Sequence, residues 1–175
     1  MLPGETVAEE RAGGSHGGAG WFGVTLRAPF ADRFAFALET EPRFFERPER
    51  QRVLLLRPWF EAELPHGLSV AVGYDGLLLL FPRASQEHRL WQQIAHEHRF
   101  RPIHTMIRLR LEQRFFSDVD SVSARARVLA GVDVPIVREV AFVLNDELFV
   151  SFNEIPGFDP SGPSENRLIV GFGWG

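Results

Sequence analysis

The chain of 175 residues contains no cysteine and no lysine. Without cysteine there is no disulfide, no thiolate metal ligand and no thiol nucleophile. Without lysine every basic side chain apart from histidine is arginine, and a formal net charge of -4 gives no reason to expect nucleic acid as a partner. No stretch reaches the roughly 18 consecutive apolar residues of a membrane-spanning helix. The opening residues, MLPGETVAEERAGG, lack a basic start followed by an apolar run, so they do not read as a signal peptide. Tyrosine occurs once, against 16 Phe and 4 Trp, so the aromatic content is high but lopsided. Convincing helical periodicity is also missing: the best candidate, Ser85 to His98, alternates as well as it spirals.

What is present is alternation of period two, clearest in RLRLEQRFF at Arg108 to Phe116. Arg108, Arg110, Glu112 and Arg114 fall on one face of an extended strand, and Leu109, Leu111, Gln113 and Phe115 on the other. The pattern recurs. Phe34, Phe36 and Leu38 oppose Arg33, Glu39, Glu41 and Arg43; Leu56, Phe60, Ala62 and Leu64 oppose Arg57, Trp59, Glu61 and Glu63. Ser123, Arg125 and Arg127 oppose Ala124, Ala126 and Val128, and Asn145, Glu147, Ser151 and Asn153 oppose an apolar set from Val140 to Phe152. Pro58 is expected at a bulge or rim, because it removes a ladder hydrogen bond. Residues 1–20, ending GGSHGGAG, read as a flexible lead-in, with one domain over 21–175. The glycine run lacks the flanking strand, helix and Lys of a phosphate loop.

About nine strands separated by turn signals predict an all-β antiparallel meander. Closure into an up-and-down barrel would remove the two exposed edges of so large a sheet. The connections alternate. Those at Ala31-Asp32, Pro65-His66, Pro102-Ile103 and Asp133 to Pro135 are short, whereas ERPERQ, FPRASQ, SDVDS and IPGFDPSGPS are longer. Short turns on one rim and longer loops on the other is the pattern of an outer-membrane barrel. The expectation is therefore a transmembrane β-barrel of about 9–12 strands, closure left open, with its apolar face toward lipid. Period two does not say which face is inside. A soluble periplasmic lipocalin-like barrel holding an apolar ligand would place the same apolar stripe in its core.

For the central hairpin, a turn setting Arg101 opposite His104 predicts a Glu97–Arg108 ion pair, Gln93 facing Glu112 and Trp91 over Arg114. Glu112 should then meet Arg125 or Arg127. The candidate site is this interior charge network: Arg89, Glu97, Arg108, Arg110, Glu112, Arg114, Arg125, Arg127 and Glu147. It reads either as an anion or polar-solute pathway or as a salt-bridged filling of a narrow barrel, and the filling is favoured. His96 and His98 share a face, but no third ligand is evident, so neither a metal nor another cofactor is expected. Asp159, Glu154 and Glu165 lack calcium-loop spacing. His98, Ser117 and Asp118 are the residues a lipid A-modifying barrel enzyme would have to gather. Asp146 breaks the apolar side of its strand, as a bulge or rim residue would.

EHRLWQQ, RLRLEQRF, ARARV, NDELFVSFN and ENRLIVGFGW, in that order and spacing, resemble the domain-of-unknown-function 2490 family. The residues that carry the resemblance are Glu87, Arg89, Trp91, Arg108, Arg110, Glu112, Arg114, Arg125, Arg127, Asn145, Glu147, Asn166 and Arg167. The resemblance implies an outer-membrane β-barrel of Gram-negative bacteria with no assigned activity, hence a non-enzymatic protein whose partner is membrane lipid. It also implies a secretion signal and further hairpins, so a chain shortened or processed at its ends is expected.

Overall fold

The computed structural model describes residues 19–45, 52–81, 85–117, 119–155 and 160–174. Its strands are β1 (Ala19–Trp21), β2 (Val24–Ala31), β3 (Phe34–Phe45), β4 (Arg52–Glu63), β5 (Leu68–Phe81), β6 (Ser85–Phe100), β7 (Ile103–Phe116), β8 (Val119–Val137), β9 (Val140–Ser151) and β10 (Gly162–Trp174). All pairings are antiparallel, and from β3 onward each strand pairs with the next in sequence. β1 and β2 both lie along the same edge of β3, at its two ends, and so fill one position of the sheet. Among the described residues no ladder joins β10 to β1 or β2, so the up-and-down sheet is not closed. β7 alone, at 14 residues, is about 46 Å long.

The Asp32-Arg33, Pro65–Gly67, Arg101-Pro102 and Arg138-Glu139 connections share one end of the sheet, and the connections after β3, β5, β7 and β9 the other. Three expectations are corrected here. Asp133 to Pro135 is not a turn: β8 runs through it to Val137, and Pro135 is accommodated by a shift of register before Val137, a position where a missing N–H does no harm. Pro58 lies mid-strand opposite Leu38 rather than at a rim, while the ladder to β5 resumes at Trp59 in unchanged register. The central hairpin turns at Arg101-Pro102, so Phe100 faces Ile103 and the register differs by two residues from the expected one. A shift of two leaves every side chain on its own face, so alternation is blind to it.

The faces are the reverse of a soluble sheet. Arg110, Glu112, Arg125, Arg127 and Glu147 are buried, whereas Leu109, Leu111, Val128, Leu148 and Leu168 are exposed. A single sheet buries one face only by curling around it, helped by its own twist. The curled face holds small residues at Ala35, Ala37, Ala71 and Ala95, and large ones at Trp91 and Phe149. Gly73 is where size is most constrained. A Cβ there would enter the Trp91 ring and stand 2.8 Å from the Trp59 Cβ, whereas one at Gly171 would meet nothing within 4 Å. Gly73→Ala should therefore lower the denaturation free energy by about 1–3 kcal/mol. Gly171→Ala should leave it within about 0.5 kcal/mol, as surface substitutions usually do, both read from urea midpoints.

Candidate functional site

Strand register lays the buried charges out in rows. One row runs Glu39, Arg57, Asp75, Arg89, Arg114 and Ser123 across β3 to β8; the next includes Trp59, Gly73, Trp91, Glu112, Arg125 and Ser151. A third runs Gln93, Arg110, Arg127, Phe149 and Glu165, and a fourth Ala95, Arg108, Leu129, Glu147 and Arg167. Side chains along a row are cross-strand neighbours, and residues two apart on a strand connect the rows.

Each buried acid serves two donors. Glu112 accepts from Arg125 Nη2 at 2.8 Å and from Arg127 Nη1 at 2.8 Å. Glu147 accepts from Arg127 Nε and Nη2 at 3.0 and 2.9 Å, and from Arg108 Nη2 at 2.6 Å. That last bond reaches over β8 from β7 to β9. Glu87 accepts from Arg89 at 2.7 and 2.9 Å and also from Arg114. Asp75, fully buried, takes a forked pair from Arg57 at 2.8 and 3.1 Å and the Trp91 indole N–H at 2.7 Å. Phe149 carries the Arg125, Arg127 and Arg167 guanidiniums 4.7 to 5.0 Å from its centroid, an electrostatic attraction to the ring face.

The structure thus brings together eight of the nine residues expected in the network, namely Arg89, Arg108, Arg110, Glu112, Arg114, Arg125, Arg127 and Glu147, on the buried face. Glu97 is the exception. It stands opposite Met106, its side chain is 55% exposed, and its Oε2 lies 3.3 Å from His104 Nε2. The two-residue difference in register also moves the other expected partners: Gln93 faces Arg110 rather than Glu112, and Trp91 carries Arg110, at 4.0 Å, rather than Arg114. The Glu112 contacts with Arg125 and Arg127 are those expected. Sequence reasoning missed Asp75, because Asp75-Gly76 reads as a turn dipeptide, and missed Phe149 as an aromatic floor among the charges. Asp146 is neither at a bulge nor at a rim. It faces outward mid-strand and accepts from the Asn166 amide at 2.8 Å.

The remaining candidates do not assemble. His98 pairs with Thr105 beside the Arg101-Pro102 turn, whereas Ser117 follows β7 at the other end and binds the Gln86 N–H. The length of β7 between them is about 40 Å, and Asp118 lies outside the described residues. His96 stacks on His98 and bonds the His66 carbonyl at 3.1 Å. Among the described residues no three His, Cys, Asp or Glu side chains gather as metal ligands; Glu165 bonds Arg167, and Asp159 lies outside them.

The model of the DUF2490 family, described as a protein of unknown function, matches residues 18–175. No curated protein and no solved structure matches the chain. The chemistry of the buried face is charge holding charge, and Glu112, 1% exposed, holds two of its arginines. Glu112→Gln should leave Arg125 and Arg127 undercompensated in a buried setting and destabilise the fold by about 3–5 kcal/mol. Glu165→Gln, on the more open Arg167 pair, should cost about 1 kcal/mol or less. Chemical denaturation of the two variants beside the parent checks the contrast.

Proposed function

The chain belongs to the DUF2490 family, and we propose that it is a β-barrel protein of a bacterial outer membrane, non-enzymatic, with an interior filled by its own Arg/Glu network. The observation that carries this reading is the inverted polarity: a guanidinium–carboxylate lattice on the buried face and Leu, Ile, Val and Phe on the exposed one. In water such an outer surface would be a very large apolar patch. Against lipid it is the surface required, since paired strands satisfy one another's backbone and turn mainly apolar side chains outward.

The exposed aromatics strengthen it. Phe30, Phe34, Phe60 and Phe100 lie toward the short-turn end, with Phe172 beside Phe142 there, and Phe22, Phe115 and Phe152 lie toward the other. Aliphatic Leu109, Leu111, Val128, Leu148 and Val170 occupy the middle. An aliphatic band between two aromatic girdles suits a bilayer with its two interfaces. β3 to β10, at 12 to 19 residues, exceed the roughly 9–11 residues a tilted spanning strand needs. Polar groups on the outer face are paired with one another: Asp146 with Asn166, Gln92 with Gln113, and Tyr74 with His88. That is how such groups are tolerated where water is scarce.

The interior favours filling over passage. Trp59, Trp91 and Phe149 project among the arginines, and the arginines are clamped to neighbours rather than ringed around an opening. Catalysis by a His/Ser/Asp set has no support in the positions of His98 and Ser117.

Expression in a Gram-negative host gives two checks. The protein should sediment with outer membranes, require detergent for extraction, and migrate differently in gel electrophoresis before and after boiling; a soluble, detergent-independent protein would sink the proposal. Leu109→Arg, at the middle of β7, should cost about 2–4 kcal/mol in lipid vesicles. The same change in a water-facing position would cost nothing of that size.

A further inference from the structure

Every other arginine of rows one to four on β6, β7 and β8 has a carboxylate within ion-pairing distance, but Arg110 has none. Its Nε and Nη2 both donate to the neutral Gln93 Oε1, at 3.0 and 2.7 Å, and its Cζ lies 4.0 Å from the centroid of the Trp91 ring. Only 5% of the residue is exposed. Its surroundings are cationic. Arg127 stands directly opposite on β8, and Arg108 is two residues away on the same face of β7, roughly 7 Å along the strand. Like charges directly opposite one another repel. Both available acids are already shared, Glu112 by Arg125 and Arg127, and Glu147 by Arg108 and Arg127. A second donor is also left over: Arg108 Nε is buried with no hydrogen-bond partner.

We propose that Arg110 and Arg108, with Arg127 behind them, form an anion site on the buried face. It would take a tetrahedral or planar oxyanion of the phosphate or carboxylate class. Guanidinium forks match such oxygens bidentately, and the anion supplies the charge that Gln93 and Trp91 do not. The site lies halfway along β7, away from both ends, so a free anion reaches it from the curled side of the sheet, which the described strands leave unclosed. A lipid headgroup, confined to the ends of the strands in a bilayer, does not. The Arg108 side chain keeps 19% of its surface exposed. The site depends on which face is buried, not on whether lipid or water lies outside, so it stands or falls separately from the membrane reading.

The test uses the full chain, folded in detergent or in buffer as its extraction dictates, titrated with inorganic phosphate at constant ionic strength set with chloride. Saturable binding by calorimetry, with broadening of the phosphate phosphorus resonance, is expected for the parent. Arg110→Gln should weaken it roughly tenfold or more, the loss expected for charge-assisted bonds. Gln93→Glu places the missing carboxylate beside Arg110, so it should keep the fold and abolish phosphate binding by occupying the guanidinium. It therefore answers the question even where Arg110→Gln fails to fold. The proposal is overturned if the parent shows no saturable phosphate binding, or if the folded Gln93→Glu protein binds phosphate as the parent does.

Discussion

A charge turned inward has to be met by charge, and this constraint governs the rest of the sheet. Moving an ionised side chain out of water costs several kcal/mol even after relaxation, and only close, well-aligned partners return it. The chain meets the demand with acids that each bridge two donors: Glu112 between Arg125 and Arg127, Glu147 between Arg108 and Arg127, Glu87 between Arg89 and Arg114. Bridging acids act as cross-links. Arg108 to Glu147 joins strands that share no ladder, which is possible only while β7, β8 and β9 curl around their charged side. The complete absence of lysine follows the same logic. A compact ammonium lacks the planar fork by which Arg127 reaches two carboxylates and the delocalised cation that Arg110 and Arg127 hold over Trp91 and Phe149.

This dependence explains why the first half of the sheet looks different from the second. β3, β5 and β6 line the curled face with Ala35, Ala37, Ala71, Gly73 and Ala95, leaving room for Trp59 and Trp91 to lean across. Asp75 then joins the two halves, holding Arg57 on one side and the Trp91 indole on the other. Small residues on some strands and long forked ones on others are two parts of one packing solution. Filling an interior with side chains requires that bulk on one strand be matched by space on its neighbour.

The faces of the strands were legible in the sequence, because period two in RLRLEQRFF or ARARV has no other extended reading. The pairing of specific residues was not. Glu97 with Arg108 and Trp91 with Arg114 obey the alternation as well as the observed Trp91 with Arg110, and the difference is decided by where Arg101-Pro102 turns. Local turn chemistry misled at Asp133 to Pro135, which carries turn residues yet is strand interior, because a register shift absorbs Pro135. Asp75-Gly76 also carries turn residues within a strand, where Arg57 and Trp91 hold Asp75. Tertiary partners override local preference where a charge is at stake. Which face is inside was likewise invisible to periodicity and visible at once in the burial of Glu112 beside the exposure of Leu111.

Arg110 is where the lattice departs from its own rule. A fully desolvated cation–π contact contributes about 2 kcal/mol, and a hydrogen bond from a charged donor about 1.5–3 kcal/mol. Trp91 and Gln93 together thus come close to offsetting the several kcal/mol of burying one guanidinium, without neutralising it. An acid in place of Gln93 would have completed the lattice and removed the field. Keeping a neutral amide there leaves Arg110, Arg108 and Arg127 presenting more positive charge than Glu112 and Glu147 balance. That part of the excess lies in the middle of β7, where Arg110 faces Arg127. A purely structural filling has no need of that asymmetry, whereas a filling that also holds an anion does.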